Sequence, residues 1–220
     1  MEELFIKKYE EILQLFSITS PKGYTKEEME KVELEVGKIP EALKLFYLKY
    51  GKSEELLHLQ DQFILPNQYQ ALIDEEYIIF FDENQGVCQA GIKKADANQP
   101  DPPVYVRMDS EEWLLSADKV SDFLVAMFGY QASICLEYSP EEFYFITAEE
   151  KEKITQLFEK KAVSFKNWLE CEITVYGNQN SGRVAVMEQE DYDIQMNYAA
   201  NTKEEYERME ELLSEMGEAI

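Results

Sequence analysis

Near Leu56 the apolar residues of this 220-residue chain change their spacing, and that change limits it to an α+β arrangement. Before it the period is helical. From Glu3 to Phe16, residues Phe5, Tyr9, Ile12, Leu13 and Phe16 fall on one helix face. "TKEE" at Thr25 to Glu28 is a capping box, and its helix carries Met29, Val32 and Val36 and stops at Gly37. "IPEALKLFYLKYG" starts with Pro40 near the first helical position, where a missing N–H costs nothing, and ends at Gly51, which suits a left-handed C-terminal cap. Beyond Leu56, "QFIL" runs into Pro66, which ends a strand. "EYIIFF" and "GVCQAGI" flank polar turn residues and read as an antiparallel hairpin. "DANQPDPP" is a loop and "VYVRM" a further strand. Val120, Phe123, Leu124, Met127 and Phe128 then form a helix expected to cover one face of that sheet.

The last third repeats the pattern. "FYFIT" reads as a strand, and "TAEE" at Thr147 to Glu150 caps a helix bearing Ile154, Leu157 and Phe158. "EITVYGN" and "RVAVMEQ" flank the turn signal "NQNSG", "YDIQMNY" is another strand, and "TKEE" recurs at Thr202 to Glu205 to start a final helix. No Gly/Ser or Pro linker separates this third. The expected organisation is one domain over 1–135 and a strand–helix extension over 136–220, packed on the first sheet or continuing it, with a small second unit as the alternative.

Charge restricts the partners. The formal net charge is −24, and residues 51–150, with 5 basic and 20 acidic side chains, hold −15 of it. Such a surface repels phosphate backbones, so direct nucleic-acid binding is not expected, whereas a basic protein is attracted. There is no basic-plus-apolar leader at the start, and no apolar run near the roughly 20 residues that span a bilayer. The three widely spaced cysteines, Cys88, Cys135 and Cys171, read as buried reduced thiols of a cytoplasmic protein.

Catalytic constellations are scarce. His58 is the single histidine, so a Ser–His–Asp triad or a Cys–His pair would have to use it, and "LLHLQ" reads better as packing. Histidine-rich and cysteine-rich metal sites lack ligands. "QEDYDIQ" lacks the glycine and terminal glutamate of a calcium loop, and no phosphate-binding loop occurs. Asp82 and Glu83 resemble a glycosidase pair, but neighbours on a strand point to opposite faces. In "DENQGV" the Asn84 and Gly86 suit a turn, with Asp82 bonding the backbone ahead of it, and Cys88 has no base beside it. No cofactor, metal or catalytic residue is expected.

In order along the chain, "IPEALKLFYLKYG", "ILPN", "EYIIFFDENQGVCQAGI", "DPPVYVR" followed by "EEW", and "VSDFLVAMFGYQA" resemble the SUKH superfamily, which includes yeast regulators of cell-wall assembly and killer-toxin resistance and many bacterial immunity proteins. The resemblance spans about residues 28–132 and is most specific at Pro40–Gly51 and Glu83–Ile92. It departs at Ala90, where many members carry an aromatic residue, often tryptophan. It implies an α+β domain with N-terminal helices packed on a twisted, largely antiparallel sheet. It also implies a non-enzymatic binding role, commonly neutralisation of a toxin domain of nuclease or nucleic-acid deaminase type.

Charge and resemblance together point to an immunity protein for a basic toxin, with no direct nucleic-acid or membrane partner. A cytoplasmic regulator without a toxin partner is the second reading, and a hydrolase using acidic residues the third. In "RMDSEEW", Asp109, Glu111 and Glu112 stand beside Trp113, so that acids steer encounter and a ring holds contact. The carboxylates are the stronger candidates, because Trp113 also suits a core position. Asp82 and Glu83 form a second candidate cluster.

Overall fold

The computed structural model describes residues 1–57, 59–68, 73–108 and 112–219. The fold is α+β, with N-terminal helices and antiparallel sheets. Helix α1 (Glu2–Leu15) buries Phe5, Tyr9 and Ile12, while Leu13 and Phe16 pack half-buried against the same core. Helix α2 (Lys26–Val36) begins with the expected reciprocal cap: Glu28 N–H donates to Thr25 Oγ1 at 3.2 Å and Thr25 N–H donates to Glu28 Oε2 at 2.7 Å. It ends where Gly37 turns to φ +93°, a left-handed value that suits glycine.

Helix α3 (Glu41–Tyr50) follows Pro40, which occupies the cap position itself. Gly51 departs from the expected left-handed cap, since its φ is −63°. Its requirement is steric: a Cβ there would lie 2.9 Å from the Tyr24 ring and 3.0 Å from the Tyr47 backbone. After the short α4 (Glu54–Leu57) comes a five-stranded sheet of β1 (Gln62–Phe63), β2 (Tyr77–Asp82), β3 (Cys88–Lys93), β4 (Val104–Met108) and β5 (Leu114–Ala117). These strands lie in chain order and every pair is antiparallel. An irregularity of register between Ile79 and Phe81 inserts one residue into β2, so Phe80 and Phe81 both join the core.

Helix α5 (Val120–Cys135) does more than cover one face of that sheet. It is apolar on nearly all sides and meets α1, α3 and β5 as well as a second sheet. Gly129 allows the approach, since a Cβ there would lie 3.0 Å from Val175 Cγ1. The second sheet is built from β6 (Tyr144–Ile146), β7 (Glu159–Lys160), β8 (Phe165–Lys166), β9 (Glu172–Gly177), β10 (Gly182–Glu188), β11 (Ile194–Ala200) and β12 (Glu218–Ala219). Its strand order is β12-β6-β11-β10-β9-β7, with β8 also paired to β9. Residues Phe165, Ile173 and Val175 belong to the same core as the first sheet.

Helices α6 (Ala148–Leu157) and α7 (Lys203–Leu213) contribute Ile154, Met209 and Leu213 to a smaller core with Val184, Met196 and Tyr198 of the second sheet. Thr147 and Glu150 form the expected capping box. At α7 the cap is one-sided: Glu205 N–H donates to Thr202 Oγ1, but the Glu205 carboxylate turns to Arg208 at 2.7 and 2.9 Å. No helix of the described residues is long and apolar enough to cross a membrane.

Candidate functional site

The outward face of the five-stranded sheet gathers the described candidates. Inward residues Ile78, Ala90, Ile92, Val104 and Val106 enter the core, so alternation sends Gln89, Gly91, Lys93, Tyr105 and Arg107 outward. The extra residue in β2 reverses parity and turns Asp82 outward as well. A row then crosses the sheet: Asp82 pairs with Gln89 and Gln89 with Arg107, and Trp113 of the next strand's approach lies against the Arg107 guanidinium. Arg107 donates to Gln89 Oε1 from Nε (3.2 Å) and Nη2 (2.9 Å), and pairs with Asp74 at 3.3 Å.

The described carboxylates of the two candidate clusters, Asp82, Glu83 and Glu112, lie towards the same end of this sheet. Strand β4 ends at Met108 opposite Cys88, and β5 begins at Leu114 opposite Val106, so exposed Glu112 precedes β5 on the side of the β2–β3 turn that follows Asp82 and Glu83. Asp109 and Glu111 lie outside the described residues, as does His58. Glu75 and Glu76, exposed ahead of β2, add carboxylates where the chain enters the opposite end.

Trp113 is half-buried and its ring is packed by two side chains. Tyr77 stacks on it at 4.2 Å between centroids, with an interplanar angle of 16°. The Arg107 guanidinium carbon lies 4.5 Å from a ring centroid. The ring edge also closes over Gly91, where a Cβ would lie 3.1 Å from it. Trp113 therefore braces the sheet, whereas Leu115, 49% exposed and paired with Tyr105, offers open apolar surface. The Lys93 ammonium sits 4.3 Å from the Tyr105 ring centroid.

At the turn, Gly86 N–H donates to Glu83 O (2.8 Å) and Glu83 N–H to Cys88 O (2.8 Å), with Gly86 at φ +74°. The backbone-bonding carboxylate is Glu83, which accepts from Gln85 N–H at 3.0 Å, not Asp82 as its place in the sequence suggests. Asp82 Oδ1 is buried without a partner. Burial, reinforced by Glu83, pushes the Asp82 carboxyl above the ordinary range against a hydrogen bond from Gln89. Behind the turn, Asp61 is 5% exposed. It accepts from Gln131 Nε2 of α5 at 2.6 Å and from Asn84 N–H at 3.4 Å, and its own N–H donates to Gln131 Oε1 at 3.1 Å. Burial pushes this carboxyl up too, more than those hydrogen bonds lower it.

The thiols are poorly placed for nucleophilic work. Cys88 is buried, and burial pushes Cys135 and Cys171 up, away from the thiolate. Among the described residues no group of three or more His, Cys, Asp or Glu side chains is arranged to hold a metal ion. Asp61, Gln89 and Arg107 were absent from the sequence-derived candidates. For Gln89 and Arg107 the only linear signal is polarity inside otherwise apolar strand runs, Asp61 in the polar "QDQ" ahead of β1 gives none, and the hydrogen-bond partners of all three lie 18 to 70 residues away. No family model, curated protein or solved structure matches this chain.

Proposed function

We propose that this chain is a non-enzymatic binding module of the immunity type, which neutralises a basic toxin domain of nuclease or deaminase class by covering it with the outward face of the five-stranded sheet. The observation that carries this reading is the convergence of carboxylates at one end of a sheet face that also exposes apolar surface. Asp82, Glu83 and Glu112 edge a face bearing Leu115, Tyr105 and the braced Trp113. Carboxylates at a rim steer a cationic partner and set the association rate, while desolvated apolar groups hold the complex. The −15 net charge of residues 51–150 supports the same partner chemistry, as does the SUKH resemblance.

Co-purification from the native strain identifies the partner, and stopped-flow association then tests the face. Glu111→Lys with Glu112→Lys, or Asp82→Lys with Glu83→Lys, is expected to slow association about tenfold at low salt and flatten its salt dependence. Unchanged rates and salt slope in both pairs place the interface elsewhere. Recovery of a cell-wall enzyme or a regulatory protein in place of a toxin favours the scaffold reading.

A further inference from the structure

We propose that the cleft between α1, α5 and the β7–β8 connection binds a small phosphate monoester, whose phosphoryl oxygens accept from the ammoniums of Lys8, Lys160 and Lys161. None of the residues lining this cleft belongs to the five-stranded sheet, so the site is separate from the toxin-binding face proposed above.

The cleft offers about 470 Å³, within the range of small-molecule sites. Helix α1 gives it Lys8 and Glu11, α5 gives Asp122 and Val125, and β7 with the chain after it gives residues 160–163. Three lysines line it although acids outnumber bases 45 to 21 in this chain. An ammonium carries three N–H donors. Lys8 uses one on Asp122 Oδ1 at 2.5 Å and one on Ser121 Oγ at 2.9 Å. Lys160 uses one on the neutral Ser164 hydroxyl at 2.7 Å, and Lys161 one on Glu159 at 3.1 Å. Each ammonium thus keeps at least one donor that no described residue takes. The Lys161 pair is also lopsided, since its own side chain is 16% exposed and that of Glu159 is 76% exposed. A solvated carboxylate compensates a largely desolvated ammonium poorly.

The acids of the cleft already have partners. Asp122 holds Lys8, and Glu11 holds Arg183, which is buried behind the cleft, at 2.6 Å. Asp101, which also meets Ser121, accepts that residue's N–H and hydroxyl at 2.8 and 2.6 Å. A single carboxylate therefore takes one cation here, whereas the unused donors sit on three separate ammoniums. A phosphoryl monoester matches them better, with three acceptor oxygens and a charge of about −1.5 to −2 at neutral pH. Lysine binds phosphate as a point charge and needs no planar fork. Beside the ammoniums, Val125, Ala162 and the exposed Val163 give the organic part an apolar wall. The net charge of −24 opposes any anion at long range, but physiological salt screens that field beyond about 8 Å, so the local cations decide. A cleft of this size admits a small molecule and not a nucleic-acid duplex.

Amide NMR titration of the full chain with phenyl phosphate at physiological salt tests the site. Saturable shifts are expected at Val125 and residues 160–163. Benzoate, the same ring bearing a carboxylate, should bind at least about tenfold more weakly. Lys160→Gln with Lys161→Gln should also weaken phenyl phosphate at least about tenfold. Lys26→Gln with Lys49→Gln, at two exposed positions outside the cleft, should leave its affinity unchanged. No saturation up to about 10 mM, shifts centred elsewhere, benzoate binding as tightly, or affinity that survives the Lys160 and Lys161 substitutions overturns the site and leaves the toxin-binding reading standing. Should that double variant not fold, Lys160→Gln alone decides, because this exposed side chain bonds only Ser164 among the described residues. Severalfold weaker binding then supports the site, and unchanged affinity rejects it.

Discussion

Arg107 lies against Trp113, its guanidinium carbon 4.5 Å from a ring centroid, while the same guanidinium is held by Gln89 and Asp74. The arginine is thereby immobilised by Gln89 of its own sheet row and by Asp74 ahead of β2, and in turn packs the indole. In a segment with 20 acidic and 5 basic side chains, one of the few cations is used internally. Arg107→Leu is expected to cost about 1–2 kcal/mol, combining a partly desolvated cation–π contact with the loss of the Asp74 pair. In a Trp168→Phe background, leaving Trp113 as the sole tryptophan, its fluorescence should become more accessible to a neutral quencher. An unchanged urea midpoint and unchanged quenching would show that Tyr77 alone holds the ring.

Gly86 is a backbone requirement without a packing one. Its φ is +74°, and the nearest atom to an added Cβ is Asp82 Oδ2 at 4.0 Å, an ordinary contact. Gly86→Ala should therefore cost about 1 kcal/mol through strain alone. Gly86→Asn, which tolerates the left-handed region better, should cost less. Equal losses in the two variants, measured by urea denaturation, would point to a steric cause.

The elements that follow from local chemistry were legible in the sequence: two complete capping boxes, the glycine stop at Gly37, the hairpin at Gly86 and the turn before Gly182. Strands of two to four residues, such as β5, β7, β8 and β12, are too short to show a period. The candidate face was half legible. Asp82, Glu83, Glu112 and Trp113 drew attention by composition, but their relation depends on register across four strands and on one inserted residue at Phe80–Phe81. The second partner of α5 was similarly hidden, because an all-round apolar helix does not say what covers each side.

Electrostatics predicts a clear negative result. With a net charge of −24, the purified chain should bind neither duplex DNA nor RNA at moderate salt. Fluorescence anisotropy checks this directly. A micromolar affinity that weakens as salt rises would reveal a basic surface strong enough to outweigh the net charge.

The tie between α1 and the second sheet makes the sharpest stability prediction. Arg183 on β10 is 1% exposed and donates from Nη2 to Glu11 Oε1 at 2.6 Å, with Nη1 on the Gln179 and Gly182 carbonyls at 2.9 and 2.7 Å. Its partner is wetter, with 29% of the Glu11 side chain exposed. Glu11→Ala leaves the guanidinium buried with two carbonyls and only Glu205, itself paired with Arg208, as a weaker negative neighbour, so a loss of about 3 kcal/mol is expected, at the low end for buried pairs because water reaches the vacated position. Glu11→Ala with Arg183→Met removes both charges and should recover much of that loss, since an apolar chain of similar length suits a core. The double-mutant cycle in urea measures the coupling. If Glu11→Ala costs under 1 kcal/mol, or the double variant is no more stable than the single, the pair does not join α1 to the second sheet energetically.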